Sequence, residues 1–156
     1  MILENSNYDD IRKLFKENNE NYITKWSNDH GLEDDDMLKL VYIDNKIAKG
    51  YAIICFDKSF CKIEEFPNKI ENMPENIAYI WEILVDKNYV GQGIGSSLLK
   101  YALDKFPNHT FYSCIEKENI SSIKLHEKFG FKEIYSFVGK PFNNKLPNEI
   151  MFELRR

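Results

Sequence analysis

Apolar residues recur along this chain in two rhythms, and each change of rhythm predicts an element. Ala78 to Val85 reads Ala-Tyr-Ile-Trp-Glu-Ile-Leu-Val, rich in β-branched and aromatic residues and bounded by polar ones, which predicts a buried strand. Helical spacing follows: Ile94, Leu98, Leu99, Ala102, Leu103 and Phe106 form one stripe on a helix entered at Ser96 and stopped by Pro107-Asn108. Tyr8 to Asn18 repeats that spacing with Tyr8, Ile11, Leu14 and Phe15, and a shorter helix is expected over Tyr22 to Ser27. Met1 to Leu3 predicts a first strand. Met37 to Ile43 and Ile47 to Phe56 predict a hairpin turning at Asp44-Asn45-Lys46. Phe111 to Ile115, Phe131 to Val138 and Glu149 to Leu154 predict three more strands. A helix within Glu118 to Phe131 ends at Gly130 as its C-cap. Lys58 to Asn76, with Pro67 and Pro74, and Gly139 to Asn148, with Pro141 and Pro147, read as connections. The order is strand, two helices, three strands, helix, strand, helix, two strands, which is an α/β class with a mixed sheet. No repeat or linker divides it, so residues 1–156 are expected to form one domain.

The turn between the first strand described and its helix carries candidate chemistry. Gly91, Gly93 and Gly95 alternate in Val90-Gly91-Gln92-Gly93-Ile94-Gly95, so backbone can pass close to a ligand there. The first amides of the following helix lack intrahelical acceptors and sit at the positive end of its dipole, an arrangement that binds phosphate. Ser96 and Ser97 add hydroxyls. Two common phosphate loops do not fit. In the dinucleotide pattern Gly-x-Gly-x-x-Gly the third glycine comes one residue later, and the P-loop ends in Gly-Lys-Ser/Thr, whereas Gly95 precedes Ser96-Ser97.

Composition narrows the classes. Hydrophobic residues make up 43% and aromatic residues 14%, which supports a packed core over disorder. The net charge of −4 and the lack of a basic cluster argue against nucleic acid as a partner. No apolar run approaches the roughly 20 residues that span a bilayer, and no signal-peptide pattern opens the chain, so no membrane partner is expected. Cys55, Cys61 and Cys114 are odd in number and lack metal-ligand spacing, so no metal is expected. Reduced thiols in a cytoplasm account for them most simply. The acidic run Glu33-Asp34-Asp35-Asp36 reads as a solvated turn or as an attractor for a cationic ligand.

Two segments together resemble the GNAT superfamily of acyl-CoA-dependent N-acetyltransferases. That family's loop, Gln/Arg-x-x-Gly-x-Gly/Ala, falls on Val90 to Gly95. Its second signature, an Asn followed by a helix ending Leu-Tyr-x-Lys-x-Gly-Phe, falls on Asn119 and on Leu125 to Phe131. The match covers about Ala78 to Phe131. Two positions depart from it: Val90 stands where Gln or Arg is usual, and His126 where Tyr is usual. The resemblance implies a mostly antiparallel central sheet whose fourth and fifth strands splay apart, flanked by helices. It also implies acetyl-CoA as cofactor, and direct transfer of acetyl to a primary amine of a small molecule or peptide. The cofactor would be held by Gly91, Gln92, Gly93, Ile94, Gly95 and Ser96, by the backbone of Ile83, Leu84 and Val85, and by Asn119, which also reads as a plain N-cap. The protein would act as a monomer or homodimer. A non-catalytic module that binds or senses acyl-CoA is the alternative, kept open by His126.

Transfer to an amine needs the amine neutral and the departing thiolate protonated. Glu82, among Trp81, Ile83 and Leu84, is the first candidate for the base, because an unpartnered carboxylate there is expensive without a purpose. Glu116, at the end of the next strand, is the second. The family's tyrosine is its usual proton donor to the thiolate, so His126 takes that role by position; its other reading is a packed side chain.

Overall fold

The computed structural model describes residues 1–4, 8–18, 37–56, 70, 72–139 and 146–156. Among them the elements run β1 (Ile2–Glu4), α1 (Tyr8–Asn18), β2 (Met37–Asp44), β3 (Ile47–Cys55), β4 (Ile77–Val85), α2 (Ile94–Lys105), β5 (Thr110–Glu116), α3 (Ile120–Lys128), β6 (Lys132–Val138) and β7 (Asn148–Leu154). A 3-10 turn, Lys87–Tyr89, lies between β4 and α2. The seven strands hydrogen-bond in the order β1-β2-β3-β4-β5-β7-β6. The β4–β5 pair is parallel, while β1–β2, β5–β7 and β6–β7 are antiparallel, so the sheet is mixed and mostly antiparallel, as expected. The expected strand ends hold to within one residue. The expected helix at Tyr22 to Ser27, the acidic run at Glu33 to Asp36 and most of Lys58 to Asn76 lie outside the described residues.

The chain forms two compact units. Met1–Ile54 with Glu82–Lys105 makes the first. Its β2–β3 hairpin turns through Asn45 (φ 50°) and Lys46 (φ 64°), the doubly left-handed turn whose twist suits a two-residue hairpin. Ile11, Leu14 and Phe15 form the buried face of α1, and Leu98, Leu99, Ala102 and Leu103 that of α2. Glu4 of β1 ties the helix to the sheet: Tyr101 Oη donates to Glu4 Oε1 at 2.6 Å, and the Lys105 ammonium pairs with the same oxygen.

The second unit is Cys55–Trp81 with Phe106–Arg156. Here β4 pairs with β5 from Ile77–Thr110 to Ile80–Ser113, and β5 pairs with β7 from Phe111–Leu154 to Glu116–Glu149. Along β4, burial drops from buried to half-buried at Trp81, where its described register with β5 has ended. Tyr112 is fully buried and donates to Glu153 Oε2 at 2.8 Å, and Arg155 holds the same carboxylate at 2.9 Å.

Gly50 is tightly enclosed, unlike Gly91 and Gly93 of the same unit. A Cβ built there would stand 2.8 Å from the Leu84 carbonyl oxygen and 3.0 Å from Ile94 Cγ2. The end of β4 and the start of α2 therefore both lean on the absence of a side chain in β3. Gly50→Ala is expected to lower stability by about 1–3 kcal/mol through overpacking, read as a lower urea midpoint with an unchanged m-value. An unchanged midpoint would mean that β3 and β4 have room to separate.

Candidate functional site

In the first unit, β4 delivers the chain to a left-handed turn. Gly91 (φ 84°) and Gly93 (φ 78°) adopt backbone that side chains disfavour, and nothing lies within 4 Å of where either Cβ would stand. The Gly93 carbonyl accepts twice, from Ser97 N at 2.9 Å and from Ser97 Oγ at 3.0 Å. Helix α2 therefore begins at Ile94, two residues before the expected Ser96. The amides of Ile94, Gly95 and Ser96 belong to its first turn and have no intrahelical acceptor. Ser97 spends its hydroxyl on the turn itself. Gln92 is exposed, and Val90, 67% exposed, projects at the rim.

The turn is braced from three directions. Asp86, buried, accepts through Oδ1 from Asn88 N (2.8 Å) and Asn88 Nδ2 (2.9 Å), capping the 3-10 turn. Asn18, at the end of α1, accepts from Lys87 N at 2.8 Å while donating to Leu14 O. Lys49 of β3 sits 4.4 Å from the Tyr89 ring centre, pairs with Asp44 at 2.7 Å, and accepts through its carbonyl from Asp86 N at 2.9 Å. Sequence reasoning missed Asn18, Lys49 and Tyr89, because each acts across a long separation in the chain. Only the Asp86-x-Asn88 cap had a local signal.

Glu82, on the same stretch of β4 as Ile83, Leu84 and Val85, is half-buried as a residue, yet its Oε2 is sealed from solvent and has no hydrogen-bond partner. Desolvation pushes its pKa up to about 7, and the phenol of Tyr51 tempers the rise. Tyr51, in β3, is fully buried, and its Oη likewise has no partner at bonding distance. The phenol lies close enough to favour the ionised carboxyl, although neither atom meets the geometry of a formed hydrogen bond. A carboxyl that titrates near neutrality can hold or release a proton where an exposed glutamate stays ionised. Tyr51 gave no signal in the sequence, where it reads as one more apolar strand residue.

Asn119, His126 and Glu116 belong to the second unit. Asn119 caps α3, accepting through Oδ1 from Ser122 N at 3.2 Å, which leaves its amide NH2 as the group available for other contacts. His126 is 2% exposed, packed edge-on against Phe131 at 5.0 Å and near Phe152 at 6.4 Å. Its Nδ1 lies 2.8 Å from the Ser122 carbonyl, so the neutral ring carries its proton there and Nε2 presents a lone pair. That Nε2 is buried and unpartnered. Burial holds the His126 pKa below its ordinary value, with the Ser122 carbonyl pulling the other way. The ring can therefore give up a proton through Nε2 only as imidazolium. Glu116 is exposed and lies directly across the ladder from Glu149. Among the described residues, no three His, Cys, Asp or Glu side chains gather as metal ligands.

With this geometry in place, comparison with known proteins is direct. The model of the acetyltransferase (GNAT) family matches residues 5–131. A curated Bacillus subtilis subsp. natto protein named probable spermine N(1)-acetyltransferase is 28% identical over 71 residues; the match takes in 43% of this chain and spans about half of that relative, 47%. Among solved structures, the ribosomal-protein-alanine N-acetyltransferase of Brucella melitensis superposes with a TM-score of 0.74 at 19% identity, covering 100% of this chain and 99% of that one. An acetyltransferase from Salmonella typhimurium solved with its cofactor acetyl-CoA gives 0.70 at 17% identity, covering 99% and 92%.

The electrostatics of Glu82 predict a pH effect on stability. Its folded pKa of about 7 lies above its ordinary 4.5, so proton uptake favours the fold. That contribution is full below about pH 4.5 and is lost as pH rises through about 7. Glu82→Gln removes the loss, and between about pH 5 and pH 8 the variant is expected to gain about 2–3 kcal/mol on the wild type in urea unfolding. His126 and His109 slope the other way: burial lowers both, so their contribution is lost as pH falls below 6.5. A constant gap between wild type and Glu82→Gln would mean that the carboxylate is ionised throughout.

Proposed function

The chain belongs to the GNAT acetyltransferase family, and on that premise we propose that it is an acetyl-CoA-dependent N-acetyltransferase that passes acetyl directly to a primary amine of a small molecule or peptide. One observation carries the reading: a left-handed glycine turn opens three helix amides beside a strand that bears a carboxyl titrating near neutrality. The turn suits a diphosphate, since nothing crowds Gly91 or Gly93 and the dipole of α2 adds positive potential there. Acetyl-CoA, when bound, supplies the acetyl group already activated as a thioester.

Each residue then has a proposed task. The backbone from Gly91 through Gln92, Gly93, Ile94 and Gly95 to Ser96 holds the diphosphate. The amides and carbonyls of Ile83, Leu84 and Val85 hold the cofactor arm, and a backbone N–H among them donates to the carbonyl oxygen as it gains charge. Asn119 offers its NH2 to the arm. An alkylamine with a pKa near 10.4 is cationic at pH 7, and neutralising it costs about 4.6 kcal/mol. Glu82 takes that proton, directly or through water, and a pKa near neutrality suits a general base. Glu116 is the second choice. His126 donates to the leaving thiolate in its imidazolium form, so its contribution grows only as pH falls.

The names of the similar proteins point to spermine and a ribosomal-protein alanine, so polyamines and alanine-terminated peptides head the acceptor panel. The net charge of −4 favours cationic acceptors. Cys55 and Cys114, in no disulfide among the described residues, fit a reducing, cytoplasmic setting. Release of CoA that requires an amine from the panel supports the enzyme; tight acetyl-CoA binding with no amine-dependent release supports the sensing module.

Two variants test the assignments. Gly93→Asp finds open space for its side chain but strains the left-handed backbone and brings a carboxylate to the turn, and calorimetry is expected to show at least a hundredfold loss of acetyl-CoA affinity, about 2.7 kcal/mol, in a protein that still folds. Unchanged affinity would remove the turn from the cofactor site. His126→Gln is expected to leave the rate at pH 8 within about threefold of wild type and to fall behind below pH 6.5, where imidazolium forms. A large deficit at pH 8 would contradict the imidazolium role.

A further inference from the structure

We propose that Tyr51 is the positioning residue of the base: its phenol, sealed in the first unit against Glu82, donates to the carboxylate when Glu82 is ionised and so sets the pH at which that group accepts a proton. The inference rests on the reading of Glu82 as base and extends it to a second residue. Its footing is geometric. Tyr51 is fully buried on β3, the strand beside β4, yet its Oη has no partner, and Oε2 of Glu82 on β4, the group with which it interacts, is buried and unpartnered too. Two sealed polar atoms without partners are costly, and native proteins keep such atoms where they have work to do. Each is a fitting partner for the other. A phenol donates well to an ionised carboxylate and gains less from a neutral carboxyl.

Among the described residues of the neighbouring elements, several charged groups have partners of their own. On β3, Lys49 pairs with Asp44 beneath Tyr89. On β2, Lys39 lies buried over the Tyr8 ring. Asp86 is capped by Asn88, and the α1 and α2 pairs Arg12–Asp9, Lys100–Asp104 and Lys105–Glu4 hold one another. Tyr51 is the side chain that opposes the desolvation of Glu82, and Glu82 in turn raises the Tyr51 pKa after burial does. The step balances simply. An ammonium N–H bond of the acceptor breaks, an O–H bond forms on Glu82, and Tyr51 keeps its own proton while its hydrogen bond to the carboxylate is released.

The test pairs infrared titration of the Glu82 carboxyl band, assigned by its loss in Glu82→Gln, with pH–rate profiles at saturating acetyl-CoA. Tyr51→Phe keeps the ring, and circular dichroism confirms its fold. Removing the donor is expected to raise the infrared midpoint by about one pH unit and to move the acid limb of the rate profile with it. The rate then falls about tenfold on that limb and recovers at high pH. A stronger phenolic donor, 3-fluorotyrosine placed at position 51, is expected to shift both downward. An unmoved infrared midpoint in both variants overturns the role of Tyr51. A midpoint that moves while the rate profile stays still upholds the pairing and overturns Glu82 as the base. A loss of rate that is equal at all pH values, with an unmoved midpoint, makes Tyr51 a packing residue.

Discussion

The organisation of the first unit depends on how closely β3 approaches the end of β4. At Gly50 no side chain intervenes, and the Leu84 carbonyl and the Ile94 methyl occupy the space that a Cβ would need. That contact brings the end of β4 and the start of α2 close against β3, with the turn lying between them. The braces at Asp86, Asn18 and Lys49 then hold the 3-10 turn at the length that lets Gly91 and Gly93 adopt left-handed backbone. None of these groups is a candidate for chemistry. Their effect is to hold the turn at which three first-turn amides lack intrahelical acceptors, and preorganised donors of this kind cost nothing to arrange when charge arrives.

The same closeness explains the chemistry of Glu82. A strand held tightly against its neighbour leaves little room for water, and Tyr51 on that neighbour is fully buried. Desolvation therefore dominates the carboxyl and brings its pKa to about 7. On an exposed surface the same residue would be ionised at neutral pH and a weak base for an ammonium ion. His126 shows the same effect with the opposite sign, since burial disfavours its cation. Packing, more than the identity of the acid or base, sets what each group can do.

The second unit is built by ladders instead of by one contact. Six register pairs join β5 to β7, with Tyr112, Glu153 and Arg155 closing one polar chain on the way. Helix α3 is held at its start by Asn119 and buries His126 between Phe131 and Phe152. N-capping by Asn119 and ring packing by His126 give those residues structural roles of their own.

Local pattern sufficed for much of this. The β-branched and aromatic run of Ala78 to Val85, the helical stripe from Leu98 to Leu103 and the glycines at 91 and 93 are short-range features, and each element appears where its local pattern put it. The family followed from two such stretches. The start of α2 at Ile94 was not legible, because it depends on Ser97 folding back to the Gly93 carbonyl. Tyr51, Gly50, Lys49 and Asn18 were not legible either. A strand tyrosine and a strand glycine look the same in sequence whether they face a carboxyl, a carbonyl or plain core. The pairing of β3 with β4 decides which, and it joins residues more than 30 positions apart, from Tyr51 to Glu82. Sequence period fixes which face a residue points to; only the tertiary fold decides what waits on that face and how much water remains there.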